Sequence, residues 1–187
     1  MRRRAKVINF GILYGMGVNA LRTNLGTDRK DAQQFYNTYF ENFKKLSSYL
    51  EHIKLNALQK GFTETFFGRR RYFKALQSPI PYIRAAAERM AINAPFQGTS
   101  ADIIKIAMGN VYQYISKNNL QNDVSLLLQV HDELVYEIKE DCVKDIVPHI
   151  RFIMENVIDK EKTKGVPLEV NVEMGKRWGE MNTHSLS

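Results

Sequence analysis

The sequence predicts an α+β fold: a mostly helical segment, residues 1–95, followed by a small antiparallel β-β-α-β unit within residues 96–187. Three patterns point there. Apolar residues recur at helical intervals through most of the first 117 positions. Two apolar runs flank a polar turn at His131-Asp132-Glu133, and Leu168, Val170, Val172 and Met174 alternate at strand period.

The first helix is expected over the run Arg2 to Gly15, where Arg2, Lys6, Phe10 and Tyr14 stand four residues apart. Each four-residue step drifts only about 40° around a helix, so two cations and two rings share one slowly turning face. Such a face suits a nucleotide, with cations for phosphate oxygens and flat rings for sugar and base. An ordinary amphipathic helix, with Phe10 and Tyr14 in the core and the cations solvated, fits the same spacing. Gly11 and Gly15 each cost roughly 1 kcal/mol of helix stability relative to alanine. Something must therefore approach that backbone closely, or the helix must bend there.

A short helix at about residues 18–24 stops at Gly26, and Asp28 caps the next, which runs to about Phe43 with Ala32, Phe35, Tyr36, Tyr39 and Phe40 on one side. A further helix runs from about Leu46 to Gln59 and ends at Gly61. Residues 62–73 read as a hairpin whose tip, Gly68-Arg69-Arg70, is basic. A helix from about Tyr82 to Ala94 is expected to close at Pro95, because proline lacks the amide hydrogen and crowds the preceding turn.

A patterned helix over Thr99 to Lys117 uses Ile103, Ile106, Ala107, Val111, Tyr114 and Ile115. Strands follow at Val124 to Val130 and Leu134 to Ile138. A helix over about Glu140 to Ile158 turns Val143, Ile146, Val147, Ile150, Met154 and Val157 inward, and the alternating run 168–174 supplies the last strand.

Charge divides along the chain. Residues 1–90 carry 17 Lys and Arg against 6 Asp and Glu, and residues 91–187 carry 10 against 14. A basic half suits a polyanion, because each phosphate neutralised releases condensed counterions. The acidic half suits divalent cations or a solvated surface. No apolar run approaches the roughly 20 residues of a membrane span, and no signal-peptide pattern is present, which points to an intracellular protein. The single cysteine, Cys142, falls in a helical pattern and reads as an inert thiol.

The second chemical cluster is Gln129-Val130-His131-Asp132-Glu133. A turn between rigid apolar strands fixes a carboxylate well, and magnesium prefers one or two carboxylates with substrate phosphates completing its shell. A plain polar turn is the competing reading. Asp132 is the first choice of ligand and Glu133 the second, since neighbours on a strand point apart. Zinc is disfavoured, because His52, His149 and His184 lie in unrelated segments and offer His131 no partner at ligand spacing.

Together, and in this order, these segments resemble the family A DNA polymerases of the bacterial DNA polymerase I type. Arg2, Lys6, Phe10, Gly11, Tyr14 and Gly15 are similar to the family's motif B on the fingers helix, and Gln129 to Glu133 to its motif C in the palm. Phe67-Gly68-Arg69-Arg70-Arg71, Arg84-Ala85-Ala86-Ala87-Glu88-Arg89 and Gln97-Gly98-Thr99-Ser100-Ala101-Asp102 also follow the family pattern. The resemblance implies that residues 1–95 are a fingers segment and residues 96–187 part of a palm, truncated at the N-terminus.

It further implies a template-directed polymerase that extends a primer 3′-hydroxyl with deoxynucleoside triphosphates by two-metal phosphoryl transfer with Mg²⁺. Arg2 and Lys6 would hold the triphosphate, with Lys6 as proton donor to pyrophosphate. Phe10 would pack by sugar and base, Tyr14 and Gly15 would border the insertion site, and Asp132 and Glu133 would hold metal. Arg71 and Arg89 would contact the primer-template backbone, while Asn93, Gln97, Gln129 and His131 would line the minor groove. That groove shows similar acceptors for A·T and T·A, so donors there test pair shape without reading sequence.

The family's motif A, with its own metal-binding Asp, is not within this sequence. The expectation is a C-terminal piece that is inactive by itself, needs the missing N-terminal polymerase portion, and works in a bacterial-type cytoplasm or on the nucleoid. A single-subunit RNA polymerase fragment and a non-catalytic nucleic-acid-binding module are the alternatives.

Overall fold

The structure, a computed structural model, describes residues 2–183, without the side chains of residues 2–5, 7, 13 and 183. Two compact units divide the chain, Met1–Thr99 and Ser100–Ser187. Among the described residues no helix is long and apolar enough to cross a membrane.

The first unit is built from α1 (Arg2–Leu13), α2 (Val18–Leu25), α3 (Arg29–Asn42), α4 (Lys44–Lys60), the hairpin β1 (Phe62–Glu64) and β2 (Arg70–Tyr72), and the start of α5 (Pro81–Lys117). Asp28 caps α3 as expected: its Oδ1 accepts from the Asp31 amide at 2.8 Å. Gly26 and Gly61 close α2 and α4 in the left-handed conformation that costs glycine least. Ile8, Ile12 and Leu21 are buried against Met16, Leu25, Tyr36, Tyr39 and Phe40. Phe35, expected on the same side, is instead 41% exposed.

A second core in this unit joins Ala57 of α4, Phe73 and Leu76 to Ala87, Ala91 and Ala94 of α5. Here the structure departs from the expected break. Pro95 is buried inside α5, which runs on to Lys117. A mid-helix proline costs about 3 kcal/mol through a lost backbone bond and a clash with the turn before it. Burial of Ala87, Ala91 and Ala94 against Ala57, Phe73 and Leu76 holds that turn helical.

The second unit contains the rest of α5, the hairpin β3 (Val124–Val130) and β4 (Glu133–Ile138), α6 (Val143–Glu155), and the short pair β5 (Glu173–Met174) and β6 (Asn182–Thr183). Val111, Ile115, Val124, Ile146 and Ile150 form its core. The order β-β-α-β holds, but the last strand is shorter than its alternation suggested. Residues 166–172 are irregular, and β5 pairs with β6 rather than with the hairpin. One cause is visible at Val170, whose amide donates to Glu155 Oε1 at 3.2 Å instead of to a ladder.

The apolar run of β3 is largely exposed in the structure. Leu126, Leu127 and Leu128 are 38%, 53% and 44% exposed, and a register shift between Leu126 and Leu128 breaks the ladder there.

Candidate nucleotide and nucleic-acid site

In the first unit the candidate site is the outer face of α1. Burial of Ile8 and Ile12 fixes which way the helix faces, so the face carrying Lys6, Phe10 and Tyr14 turns to solvent. Phe10 and Tyr14 are 45% and 44% exposed. Their ring centroids lie 6.1 Å apart with planes 30° from parallel, and Lys6 Nζ lies 5.8 Å from the Phe10 ring centroid. The reading that buried these rings as ordinary core is therefore contradicted. The side chain of Arg2 lies outside the described residues.

Both glycines are explained by close approach. After α1, the Gly15 amide donates to the Ile12 carbonyl at 3.0 Å and the Met16 amide to the Gly11 carbonyl at 2.8 Å, with Gly15 at φ +78°. This pair of bonds is the Schellman arrangement that ends a helix on a left-handed glycine. Met16 then folds back so that its thioether lies over Gly11, and the Arg89 side chain covers Gly15.

The basic hairpin is tied to α5 in a way the sequence did not suggest. Arg69 Nη2 donates to the Gly98 carbonyl at 3.0 Å, and the Phe66 amide donates to Thr99 Oγ1 at 2.9 Å. A Cβ at Gly98 would fall 2.5 Å from Thr65 Cγ2, so a small residue inside the helix is what lets the hairpin dock. Gly98 fell in the expected break between two helices, so the sequence carried no signal for this docking. Arg70 is neutralised by Glu64 at 2.7 Å, which raises its pKa through that hydrogen bond first. Arg71 stays exposed, its guanidinium 5.3 Å from the Phe73 ring centroid. On α5, Arg89 and Gln97 are exposed, whereas Asn93 is half-buried and its Oδ1 has no partner among the described residues.

In the second unit, Val130 pairs with Glu133, so His131 and Asp132 form a two-residue hairpin loop. His131 has φ +53° and Asp132 is not positive, the sign pattern of a type II′ turn. Gln129 Nε2 donates to the His131 carbonyl at 2.7 Å, which stiffens the loop. His131, Asp132 and Glu133 are all exposed, and no ion pair among the described residues engages either carboxylate. No group of three or more His, Cys, Asp or Glu able to hold a metal occurs among the described residues. The donor set fits a hard cation that takes one or two carboxylates and fills its shell with water and phosphate. It does not fit a closed zinc site.

The model of DNA polymerase family A matches residues 1–180. The chain belongs to that family. It is 43% identical over 178 residues to the thermostable DNA polymerase I of Thermus filiformis, covering 95% of this chain and 20% of that protein. Against DNA polymerase I of Pseudomonas aeruginosa the identity is 43% over 179 residues, covering 96% and 19%. Among solved structures, the POL domain of Pol1 from M. smegmatis, in complex with DNA primer-template and dNTP, aligns with a TM-score of 0.83 at 39% identity, covering 90% of this chain and 29% of that one. The family A chain thus spans about a fifth of the length of these curated relatives.

Proposed function

We propose that these residues are the fingers segment and part of the palm of a template-directed DNA polymerase. The observation that carries this reading is the solvent-facing Lys6, Phe10 and Tyr14 stripe, fixed by buried Ile8 and Ile12, in a family A chain. A stripe of cation and rings is organised for a triphosphate and its base rather than for packing.

In the reaction, a primer 3′-oxygen attacks the α-phosphorus of a deoxynucleoside triphosphate, an O–P bond forms, and pyrophosphate leaves. Arg2 and Lys6 neutralise the triphosphate, and Lys6 Nζ gives a proton to the departing pyrophosphate oxygen. Phe10 and Tyr14 present flat surfaces to sugar and base, and Gly15 leaves room beside them. Arg71 and Arg89 hold primer-template phosphates. Asn93, Gln97, Gln129 and His131 offer hydrogen bonds to minor-groove acceptors. Asp132, with Glu133, would hold magnesium, which supplies charge neutralisation and a more reactive 3′-oxygen when bound.

The family's motif A carboxylate is not among these 187 residues, so we read the polypeptide on its own as binding DNA without extending it. Incubated with primer-template, Mg²⁺ and deoxynucleotides, it should give no extension. Its duplex affinity should fall steeply with salt, and Arg71→Ala and Arg89→Ala should each flatten the slope by about 0.9. Extension by the isolated chain would overturn its inactivity. Absence of any duplex binding would overturn the DNA-binding role.

A further inference from the structure

A second cluster of cations and rings uses residues other than those assigned above. Lys44, Lys45, Ser48, Tyr49 and His52, on α4, line an open groove of about 480 Å³. Tyr49 is 49% exposed and makes a T-shaped contact with Phe96, the ring centroids 5.9 Å apart. Phe43, immediately before Lys44, is 52% exposed and its ring is braced by Tyr39 at 4.8 Å. Both rings are thus held from one side and open on the other. Among the described residues neither lysine forms an ion pair, although Glu41 and Glu51 are close in sequence. His52 is oriented by Asn56, whose Nδ2 lies 2.7 Å from its Nε2.

We propose that this groove binds single-stranded nucleic acid, with Lys44 and Lys45 on successive phosphates and Tyr49, with Phe43, stacking on bases. The inference rests on the DNA-polymerase reading for its choice of polyanion. The rings choose between forms of nucleic acid. A duplex hides its base faces, so exposed rings among unpaired cations gain nothing from it, whereas an unpaired strand offers a phosphate and an open base face at every step. An acidic peptide would use the lysines but leave both rings unsatisfied.

The test is fluorescence anisotropy of labelled oligothymidylate and of a blunt duplex, each titrated with the 187-residue chain across a salt series. Lys44→Gln with Lys45→Gln should reduce the slope of log affinity against log salt by about 1.4 for the single strand. Tyr49→Ala should weaken single-strand binding by roughly fivefold or more, while Tyr49→Phe, which keeps the ring, should not. Duplex binding should be unchanged in all three. Because Tyr49→Ala also removes the contact to Phe96, circular dichroism melts accompany it, and the exposed lysine pair decides if that variant unfolds. Folded lysine variants with unaltered single-strand affinity and slope would overturn the proposal. A wild-type chain that binds duplex but no oligothymidylate would overturn it while leaving the polymerase reading standing. Failure to bind either nucleic acid would overturn both.

Discussion

Gly15 lies directly beneath Arg89: a Cβ built on Gly15 would fall 2.8 Å from Arg89 Cγ and 3.1 Å from Arg89 Cβ. The end of α1 and a proposed DNA-backbone arginine therefore meet at a residue with no side chain, at φ +78°. Two costs follow for any other residue there, backbone strain and displacement of Arg89. Gly15→Ala should destabilise the chain by about 1–2 kcal/mol from the left-handed conformation alone. Combining it with Arg89→Ala, which removes the Cγ, should cost less than the sum of the single changes. Urea unfolding of the four proteins in the cycle measures this, and strict additivity would show that the contact carries no energy.

Tyr136, on β4, packs into the core of the second unit, yet its hydroxyl is buried without a partner among the described residues. Burial pushes its pKa up to about 12. An unsatisfied buried hydroxyl costs more than it returns, so Tyr136→Phe should stabilise the chain by about 1 kcal/mol. Because the folded pKa is raised, the stability linked to this phenol is complete below the unfolded value near 10 and is lost as pH rises through about 12. Thermal melts of both proteins from neutral to alkaline pH check the point. A less stable phenylalanine variant would mean that the hydroxyl is bonded.

Glu155 links α6 to the irregular segment after it. Its partial burial acts to raise its pKa, but hydrogen bonds from Arg151 Nε at 2.9 Å and the Val170 amide, with the charges of Arg151 and Lys160, bring it below the ordinary value. A carboxylate with a lowered folded pKa stabilises above its unfolded pKa of about 4.5, and that contribution disappears as pH falls through the folded value. Glu155→Gln should therefore cost about 0.5–1 kcal/mol at pH 7 and nearly nothing at strongly acid pH. Denaturation curves at several pH values measure the difference. A cost independent of pH would assign the effect to packing.

The main helices were legible because their signals are local. The four-residue spacing of Lys6, Phe10 and Tyr14, the Asp28 cap and the terminal Gly26 and Gly61 each act within one or two turns. Pro95 was misread because its local penalty is outweighed by packing of Ala87, Ala91 and Ala94, which involves Phe73 and Leu76 from another segment. The last strand was misread for a similar reason: alternation from Leu168 to Met174 specifies a strand only where a neighbour offers a ladder, and Glu155 takes the Val170 amide instead. Spacing also left open which face of α1 is buried. Contact with Leu21, Tyr36, Tyr39 and Phe40 decides it, and those residues lie on α2 and α3.

The most direct measurement is primer extension by a chimera in which these 187 residues replace the corresponding C-terminal segment of an active family A polymerase. The chimera should extend a primer in Mg²⁺, and Asp132→Asn should lower its rate by at least about 100-fold, as expected for loss of a group that stabilises charge in the transition state. A folded Asp132→Asn chimera that extends at an undiminished rate would contradict the assignment of motif C chemistry to this hairpin.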